Sequence, residues 1–287
     1  MNRRTFLASL PLSFGLPSWT AGGFPDDDDA IVCKKKFDIA VSLTLQKKPI
    51  GDVIVEIGKT FIGTEYVANA LEVPGEEHLV VNMRGLDCVS FYENALVLAR
   101  CVKKKKMTFD DYKAELQFIR YRHGKIDRYP SRLHYTSDYI YENEKKGVWK
   151  NVTKDLGGVR YTKTVNFMST HPDSYRQLKE NAEFIPVIKE QEHEISKREL
   201  YHVPKEKIAD VSPQLKNGDI LGITTDIEGL DVAHTGIVIW QNGKVHFLHA
   251  PNVGHKLTIT EKTLAEYVAG NKRQIGIMVA RPLEPVV

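Results

Sequence analysis

The sequence lacks the features that mark nucleic-acid-binding and membrane-spanning proteins. Its 40 Lys and Arg residues are almost balanced by 37 Asp and Glu residues, which leaves a net charge of +3. The one basic cluster, at residues 103–106, follows a helical apolar pattern and is typical of a solvated helix end. We therefore predict no binding to nucleic acid. Beyond the N-terminal segment no apolar run could cross a bilayer, so we expect no stable membrane insertion of the mature protein.

Cysteine is scarce, with Cys33, Cys88 and Cys101 as the only three in the chain. Because the number is odd, at least one thiol stays free or pairs with another molecule. A bridge between Cys33 and Cys101 would leave Cys88 free, although the sequence alone does not establish that bridge.

The N-terminus has the pattern of an export signal. Arg3 and Arg4 precede an apolar stretch at residues 6–16, and small residues follow at positions 21–23. This order predicts a signal peptide over residues 1–24, and its first residues resemble a twin-arginine signal. The alternative is a disordered segment or a helix of the folded core. We expect a periplasmic or extracellular protein, with the acidic run at residues 26–29 as a solvated linker.

The rest of the chain is predicted to form one domain over residues 25–287, with an insertion or elaboration at about 105–205. Apolar residues recur at helical spacing over residues 50–61, 88–102, 108–124 and 137–146. Strand patterns occur at 79–83, in the alternation from Val159 to Phe167, and at 219–223, 232–240, 244–250, 256–260 and 275–281. Helices followed by antiparallel strands indicate an α+β fold.

Cys88 is the candidate nucleophile. Asp87 is a favourable N-cap residue, so Cys88 is predicted to lie in the first turn of a helix. Unpaired N–H groups and the helix dipole favour negative charge there, and the thiolate is the reactive form of cysteine. Burial as a packing residue is the alternative for an isolated cysteine, so a base is needed to decide between the two.

The base is sought among the histidines of a predicted hairpin. Asn242-Gly243 lies between two apolar runs and favours a two-residue type I′ turn. In that register Ile239 pairs with His246, and side-chain alternation places His234 and His249 on one face as diagonal neighbours. His246 then lies on the opposite face. His249 can therefore orient His234, with Gly236 leaving space between them.

The same geometry disfavours a metal site. His246 and His249 have a ligand-like spacing, but on a strand they point apart. The chain also has no His-Glu-x-x-His motif, and we expect neither a metal nor another cofactor. A cysteine at a helix start and two histidines on a late hairpin indicate acyl transfer through a covalent intermediate.

Three stretches carry a family resemblance: Gly-Leu-Asp-Cys-Val-Ser-Phe at 85–91, Ala-His-Thr-Gly-Ile-Val-Ile at 233–239 and Phe-Leu-His-Ala at 247–250. They resemble the NlpC-type, papain-like peptidases that cut bacterial peptidoglycan, and residues 63–66 and 216–221 fit the same pattern. Residues 66–72, 133–138 and 166–169 resemble one branch, first catalogued as a domain of unknown function. Its members are N-acetylmuramoyl-L-alanine amidases.

The resemblance implies a papain-like fold and a set of site residues. The implied catalytic residues are Cys88, His234 and His249, and the implied substrate-binding residues are Tyr66, Asp87, Ser90 and Tyr135. For Tyr66 the alternative is a core-edge aromatic, for Asp87 a helix cap alone, and for Tyr135 packing. Two positions depart from the pattern, because Ser90 replaces a common glycine and Glu65 replaces a frequent proline.

The resemblance therefore implies an enzyme that hydrolyses the N-acetylmuramoyl–L-alanine bond in peptidoglycan or its muropeptide fragments. A D-Glu–diaminopimelate endopeptidase with the same catalytic residues is the first alternative. A non-catalytic protein that binds the cell wall is the alternative from another class.

Overall fold

The computed structural model describes residues 26–252 and 254–286. The predicted signal peptide, residues 1–24, lies outside them. Among the helices of this described part, none combines the length and the apolar character that a membrane crossing requires.

The first helix, α1 (Asp26–Ser42), begins inside the acidic run that the sequence suggested to be a linker. Asp29 is buried there, and its carboxylate accepts a hydrogen bond of 2.9 Å from the backbone N–H of Met83. The linker prediction is wrong. Acidic residues favour the start of a helix, and Asp29 also fixes the segment that leads to Cys88.

Helix α2 (Ile50–Lys59) confirms the first helical pattern. Two short strands, β1 (Glu65–Tyr66) and β2 (Gly85–Leu86), pair in parallel and bracket a long loop. The strand predicted at residues 79–83 is absent from that loop. Its backbone groups bond to side chains instead of a neighbouring strand: the carbonyl of Val80 accepts from Arg120, and that of Asn82 from Asn94.

Three helices follow, each close to its predicted position: α3 (Cys88–Lys104), α4 (Phe109–Arg120) and α5 (Thr136–Lys145). The start of α4 is a capping box, in which Thr108 and Asp111 each bond the backbone N–H of the other. Lys105 ends α3 in a left-handed conformation, which places the lysine cluster at the end of that helix, as predicted.

The middle of the chain continues with small elements: β3 (Trp149–Asn151), β4 (Val159–Arg160), α6 (Phe167–Thr170), α7 (Arg176–Glu180) and α8 (Phe184–Lys197). The strand-like alternation therefore holds only at its start. Phe167 opens a helical turn instead, because its N–H and that of Asn166 both bond the carbonyl of Gly229, on a distant loop. That tertiary contact overrides the local pattern.

The last third supplies most of the sheet, namely β5 (Tyr201–Pro204), α9 (Ile208–Val211), β6 (Ile220–Thr225), β7 (Val232–Gln241), β8 (Lys244–His249), β9 (Thr258–Ile259), α10 (Leu264–Ala269) and β10 (Gln274–Pro282). In the part that the structure describes, eight strands form one sheet in the order β4-β5-β10-β6-β7-β8-β9, with β3 also paired to β10. All its pairings are antiparallel, which agrees with the α+β prediction.

Hydrophobic clusters cover both faces of the sheet. On one face, Ile237 and Leu248 pack with the buried residues of α2 and α3. On the other face, Val238 and Phe247 pack with Leu264 of α10 and with the residues around α9. The alternation of side chains along β7 and β8 thus separates the α3 side from the α10 side.

The hairpin of β7 and β8 has the predicted register. Gln241 pairs with Lys244 and Ile239 with His246. Asn242 and Gly243 both have positive φ, 51° and 73°, as a type I′ turn requires. The turn residues therefore determine which histidines share a face.

Candidate active site

Cys88 is the first residue of α3, and only Asp87 separates it from β2. One oxygen of Asp87, Oδ1, accepts hydrogen bonds from the N–H groups of Val89 and Ser90, at 3.1 and 2.7 Å. Ser90 Oγ in turn accepts from the N–H of Asp87 at 2.9 Å. Asp87 and Ser90 therefore form a capping box around the nucleophile, which gives both residues a structural role in fixing its position.

The Cys88 thiol lies deep among protein atoms although the residue is partly exposed. Desolvation, followed by the negative charge of Asp87, raises its pKa to about 11. The hydroxyl and backbone of Thr235 lower the pKa of Cys88, but by less than these two effects raise it. The helix start alone would favour the thiolate, but burial outweighs it, so the thiol is protonated at neutral pH and needs a base.

His234 and His249 form a hydrogen-bonded pair. His234 Nε2 lies 2.7 Å from His249 Nδ1, and the two rings meet edge to face. Desolvation lowers the pKa of His234 to about 4; desolvation and then the neighbouring His234 lower that of His249 to about 3. Both rings are thus neutral at pH 7. If His234 donates from Nε2, its Nδ1 is left with a lone pair that can accept a proton.

Aromatic side chains fix the orientation of His249, which is 3% exposed. The Phe247 ring stacks on it at 4.8 Å, and Tyr267 of α10 meets it edge-on at 5.1 Å. The gap at Gly236, expected between the two imidazoles, is instead filled by Phe247, since a Cβ there would lie 2.7 Å from its ring. His246 lies on the other face, as predicted, and bonds the carbonyl of Thr260 at 2.9 Å.

A β-bulge precedes the base. His234 pairs with Ile223 and Val232 pairs with Thr224, so Ala233 is an extra residue on β7. Such a bulge changes the direction of the next side chain. The sequence offered no signal for it, because the bulge depends on how β6 and β7 align.

The sulfur of Cys88 lies next to β7. The hydroxyl and backbone of Thr235, the residue that directly follows His234, favour its thiolate. Desolvation raises the pKa of Tyr267, whose ring packs on His249, and the charge of Cys88 adds to that increase. The sequence did not single out Thr235 or Tyr267. Position next to His234 is a signal for Thr235, whereas nothing in the local sequence marks Tyr267.

Tyr66 lies near the nucleophile, because the charges of Cys88 and Asp87 act on its hydroxyl. Its N–H bonds the carbonyl of His255 at 2.8 Å, which ties β1 to the segment after β8. Desolvation, with the charges of Cys88 and Asp87, raises the Tyr66 pKa to about 12, so its hydroxyl stays protonated and can donate. Glu65, the residue that departs from the family pattern, is exposed and pairs with Lys256 at 3.2 Å.

Tyr135 is not brought to Cys88 by its contacts. It is 5% exposed, donates to Glu192 Oε1 at 2.7 Å and accepts from the N–H of Met168 at 2.8 Å. It belongs to a separate hydrophobic cluster that includes Met168 and Phe184. Its observed contacts hold α5, α6 and α8 together.

The other two cysteines, Cys33 and Cys101, are buried free thiols. Desolvation is the main reason that both pKa values are raised, that of Cys33 to about 12. Between residues 26 and 286, leaving out residue 253, no group of three or more His, Cys, Asp and Glu could hold a metal ion.

A cavity of about 620 Å³ lies beside the loop that follows Tyr66, with Asn69 and Glu72 on one wall. Residues from the middle of the chain, including Asp173, Arg176 and Lys179, form the other wall. Asn69 is three residues from Tyr66, which limits their Cα separation to about 11 Å. The middle of the chain therefore contributes charged side chains to a cavity beside the loop that follows Tyr66.

Comparison with known proteins identifies the family. Residues 56–277 match the N-acetylmuramoyl-L-alanine amidase-like family. The chain belongs to this family. No curated protein matches it.

Among solved structures, this amidase-like protein is similar to an N-acetylmuramoyl-L-alanine amidase from Bacteroides uniformis, at 34% identity and a TM-score of 0.78, over 82% of this chain and 99% of that one. A Bacteroides fragilis protein named as a candidate xylanase is 38% identical, with a TM-score of 0.75, over 79% and 99% of the two chains. A Legionella pneumophila protein at 22% identity shares the fold, with a TM-score of 0.69 over 90% and 95%.

Proposed function

We propose that this amidase-like protein is a cysteine enzyme with a papain-like, NlpC-type site that hydrolyses the N-acetylmuramoyl–L-alanine bond. The observation that carries the proposal is the 2.7 Å pair of His234 and His249. Thr235, next to His234, favours the Cys88 thiolate, and the charge of Cys88 acts on Tyr267, which packs on His249. A thiol, a neutral base and a group that orients the base are the parts that acyl transfer requires.

The first step is attack of the Cys88 sulfur on the lactyl carbonyl carbon of the muramic acid. Because the thiol is protonated at neutral pH and His234 is neutral, the thiol proton passes to His234 Nδ1 as the carbon–sulfur bond forms. The resulting imidazolium is stabilised by the hydrogen bond from Nε2 to His249.

The oxyanion needs donors at the helix start. The N–H groups of Val89 and Ser90 are already bonded to Asp87. The backbone N–H of Cys88 itself is therefore the helix donor that we assign to the oxyanion.

Collapse of the tetrahedral intermediate breaks the carbon–nitrogen bond. His234 returns the proton to the leaving amine of L-alanine, which frees the stem peptide and leaves a thioester on Cys88. Water then attacks the thioester carbonyl, with His234 taking the proton and giving it back to the sulfur. The second product is the sugar with a free lactyl carboxylate.

Glycoside hydrolysis, suggested by the name of the Bacteroides fragilis structure, fits the site less well. That reaction uses two carboxyl groups on either side of the bond that is cut. Asp87, the carboxylate next to Cys88, is committed to the cap of α3 through two backbone N–H groups. The histidine pair instead favours an amide.

We further propose that the protein is exported, acts on muropeptides or peptidoglycan in the periplasm or outside the cell, and works as one domain over residues 25–287 with an elaboration at about 105–205. The Arg3-Arg4 segment and its apolar stretch support the export. The amidase family supports the substrate.

The test is a digest of a muramyl tetrapeptide, with products identified by mass spectrometry. We expect release of the intact stem peptide, and its complete loss in Cys88→Ala. Cys33→Ala is the matched control, because it removes a free thiol that takes no part in the site. Activity that survives in Cys88→Ala would refute the cysteine mechanism.

The same digest, together with assays of cell-wall binding and xylan cleavage, separates the alternatives. Release of a diaminopimelate–D-Ala dipeptide, with L-Ala–D-Glu still attached to the muramic acid, would indicate the endopeptidase. Binding to purified cell walls without any cleavage would indicate a wall-binding protein, and cleavage of xylan would indicate a glycosidase.

A further inference from the structure

Thr235 has a buried hydroxyl whose position calls for an explanation. The residue is 2% exposed, and Oγ1 makes no hydrogen bond of normal geometry within the described part of the chain. An unpaired buried polar group lowers the stability of the fold, so the presence of a hydroxyl at this position requires an explanation. Valine has the same shape and would fill the position without that loss of stability.

Strand alternation directs this hydroxyl to the catalytic helix. Thr235 lies two residues before Ile237 on β7, so the two side chains point to the same face of the sheet. Ile237 packs with the residues of α3 on that face. The backbone of Thr235 pairs with Gly222 on β6, in the regular ladder that begins after the bulge. The side chain therefore points from β7 towards the α3 side of the sheet, and its hydroxyl and backbone are the groups of this strand that favour the Cys88 thiolate.

We propose that Thr235 is a further catalytic residue, whose hydroxyl donates a hydrogen bond to the Cys88 sulfur once the thiol has lost its proton. This inference rests on the proposed cysteine mechanism. The sulfur of a neutral thiol is a weak hydrogen-bond acceptor, which agrees with the unpaired Thr235 hydroxyl in the resting site. A thiolate is a stronger acceptor, so the bond strengthens as the proton leaves for His234.

The other groups around the sulfur show why such a donor matters. The titratable groups nearby are Asp87 at the cap of α3, Tyr92 in α3, Tyr66 in β1, Tyr267 in α10, and the pair His234 and His249. Asp87 disfavours the thiolate through its charge, and burial disfavours it further. Both histidines are neutral at rest, so these two effects are opposed first by the hydroxyl and backbone of Thr235, and then by the backbone of Cys88 itself.

The experiment measures ionisation of the thiol without any substrate. The absorbance of thiolate at 240 nm is followed against pH, and the curve of Cys88→Ala is subtracted to remove Cys33 and Cys101. We expect Thr235→Val to raise the apparent pKa of Cys88 by about one unit, since a hydrogen bond to a charged group has that order of strength. Thr235→Ser keeps the hydroxyl and should restore the wild-type curve.

Thr224→Val is the matched control. This buried threonine lies on the neighbouring strand, and its hydroxyl bonds His202 at 3.0 Å, away from the sulfur. Its curve should equal that of the wild type. An unchanged curve for a folded Thr235→Val, or one that Thr235→Ser fails to restore, would overturn the assignment.

Turnover separates this inference from the proposed function. With muramyl tetrapeptide we expect kcat to fall about tenfold in Thr235→Val while KM stays within twofold, because the bond exists only after proton transfer. If the wild type cut no muropeptide while the thiol pKa still shifted as expected, the substrate would be wrong and Thr235 would keep its role. If the substrate were cut normally without a shift, the role of Thr235 would be refuted and the function would stand.

Discussion

The pair of His249→Asn and His249→Leu is the sharpest test of the catalytic geometry. Asn Oδ1 branches from the same carbon as His Nδ1, so it offers an acceptor in nearly the same place for His234 Nε2. Leucine has the size of asparagine and offers none. The two variants therefore differ in the acceptor alone, inside the same aromatic surroundings of Phe247 and Tyr267.

The magnitude follows from the hydrogen bond itself. When His234 becomes an imidazolium in the transition state, its bond to the acceptor is charge-assisted and contributes about 1.5–3 kcal/mol. Its loss corresponds to a fall in kcat/KM of roughly 10- to 150-fold. We expect kcat/KM to fall by this factor in His249→Leu and to stay within a few-fold of the wild-type value in His249→Asn.

A third variant, His249→Asp, tests the sign of the electrostatics. A carboxylate next to His234 favours the charged ring and raises its pKa from the present value of about 4. The acidic limb of the pH profile reports the protonation of this base, so it should move to higher pH in His249→Asp.

The assay is release of stem peptide from muramyl tetrapeptide, followed by chromatography from pH 4 to 9. Circular dichroism and melting curves would verify that each variant is folded. Equal kcat/KM for the leucine and asparagine variants would refute the assigned hydrogen bond. An acidic limb that stays in place in His249→Asp would refute His234 as the group that titrates.

Two further predictions concern residues that the sequence assigned to substrate. Asp87→Ala should lower the unfolding free energy by about 1 kcal/mol through loss of the cap, whereas Asp87→Asn keeps a cap. Because the charge of Asp87 raises the Cys88 thiol pKa, Asp87→Asn should lower that pKa in the 240 nm titration. An unchanged thiol pKa would contradict this electrostatic effect of Asp87. Tyr135→Phe should lower the unfolding free energy by about 1–3 kcal/mol, because it removes the donor to buried Glu192, and it should leave KM unchanged. A raised KM with unchanged melting would instead place Tyr135 in the substrate site.

Local signals predicted the elements whose residues satisfy one another within a few positions. Asp87 and Ser90 close their own capping box, and Asn242 and Gly243 adopt the positive φ of a type I′ turn. Where the backbone is bonded by distant groups, local patterns were wrong. Residues 79–83 are held by Arg120 and Asn94 instead of a strand, and Phe167 begins a helical turn on the carbonyl of Gly229.

The sequence by itself determined that His234 and His249 are neighbours. A two-residue turn sets the register of the hairpin, and the two-residue period of a strand places His246 on the other face. The proximity of His234 and His249 therefore follows from their positions in the sequence. It also placed Cys88 at the start of a helix, because its cap lies one residue before it.

Only the tertiary structure decided the charge state of that site. The helix start favours the thiolate, but burial among α3, β1 and β7, together with Asp87, raises the thiol pKa to about 11 and makes the base necessary. The bulge at Ala233, the buried hydroxyl of Thr235 and the use of Tyr135 within the core also belong to the packed chain. Desolvation and strand alignment depend on neighbours that are remote in sequence, and no local pattern encodes them.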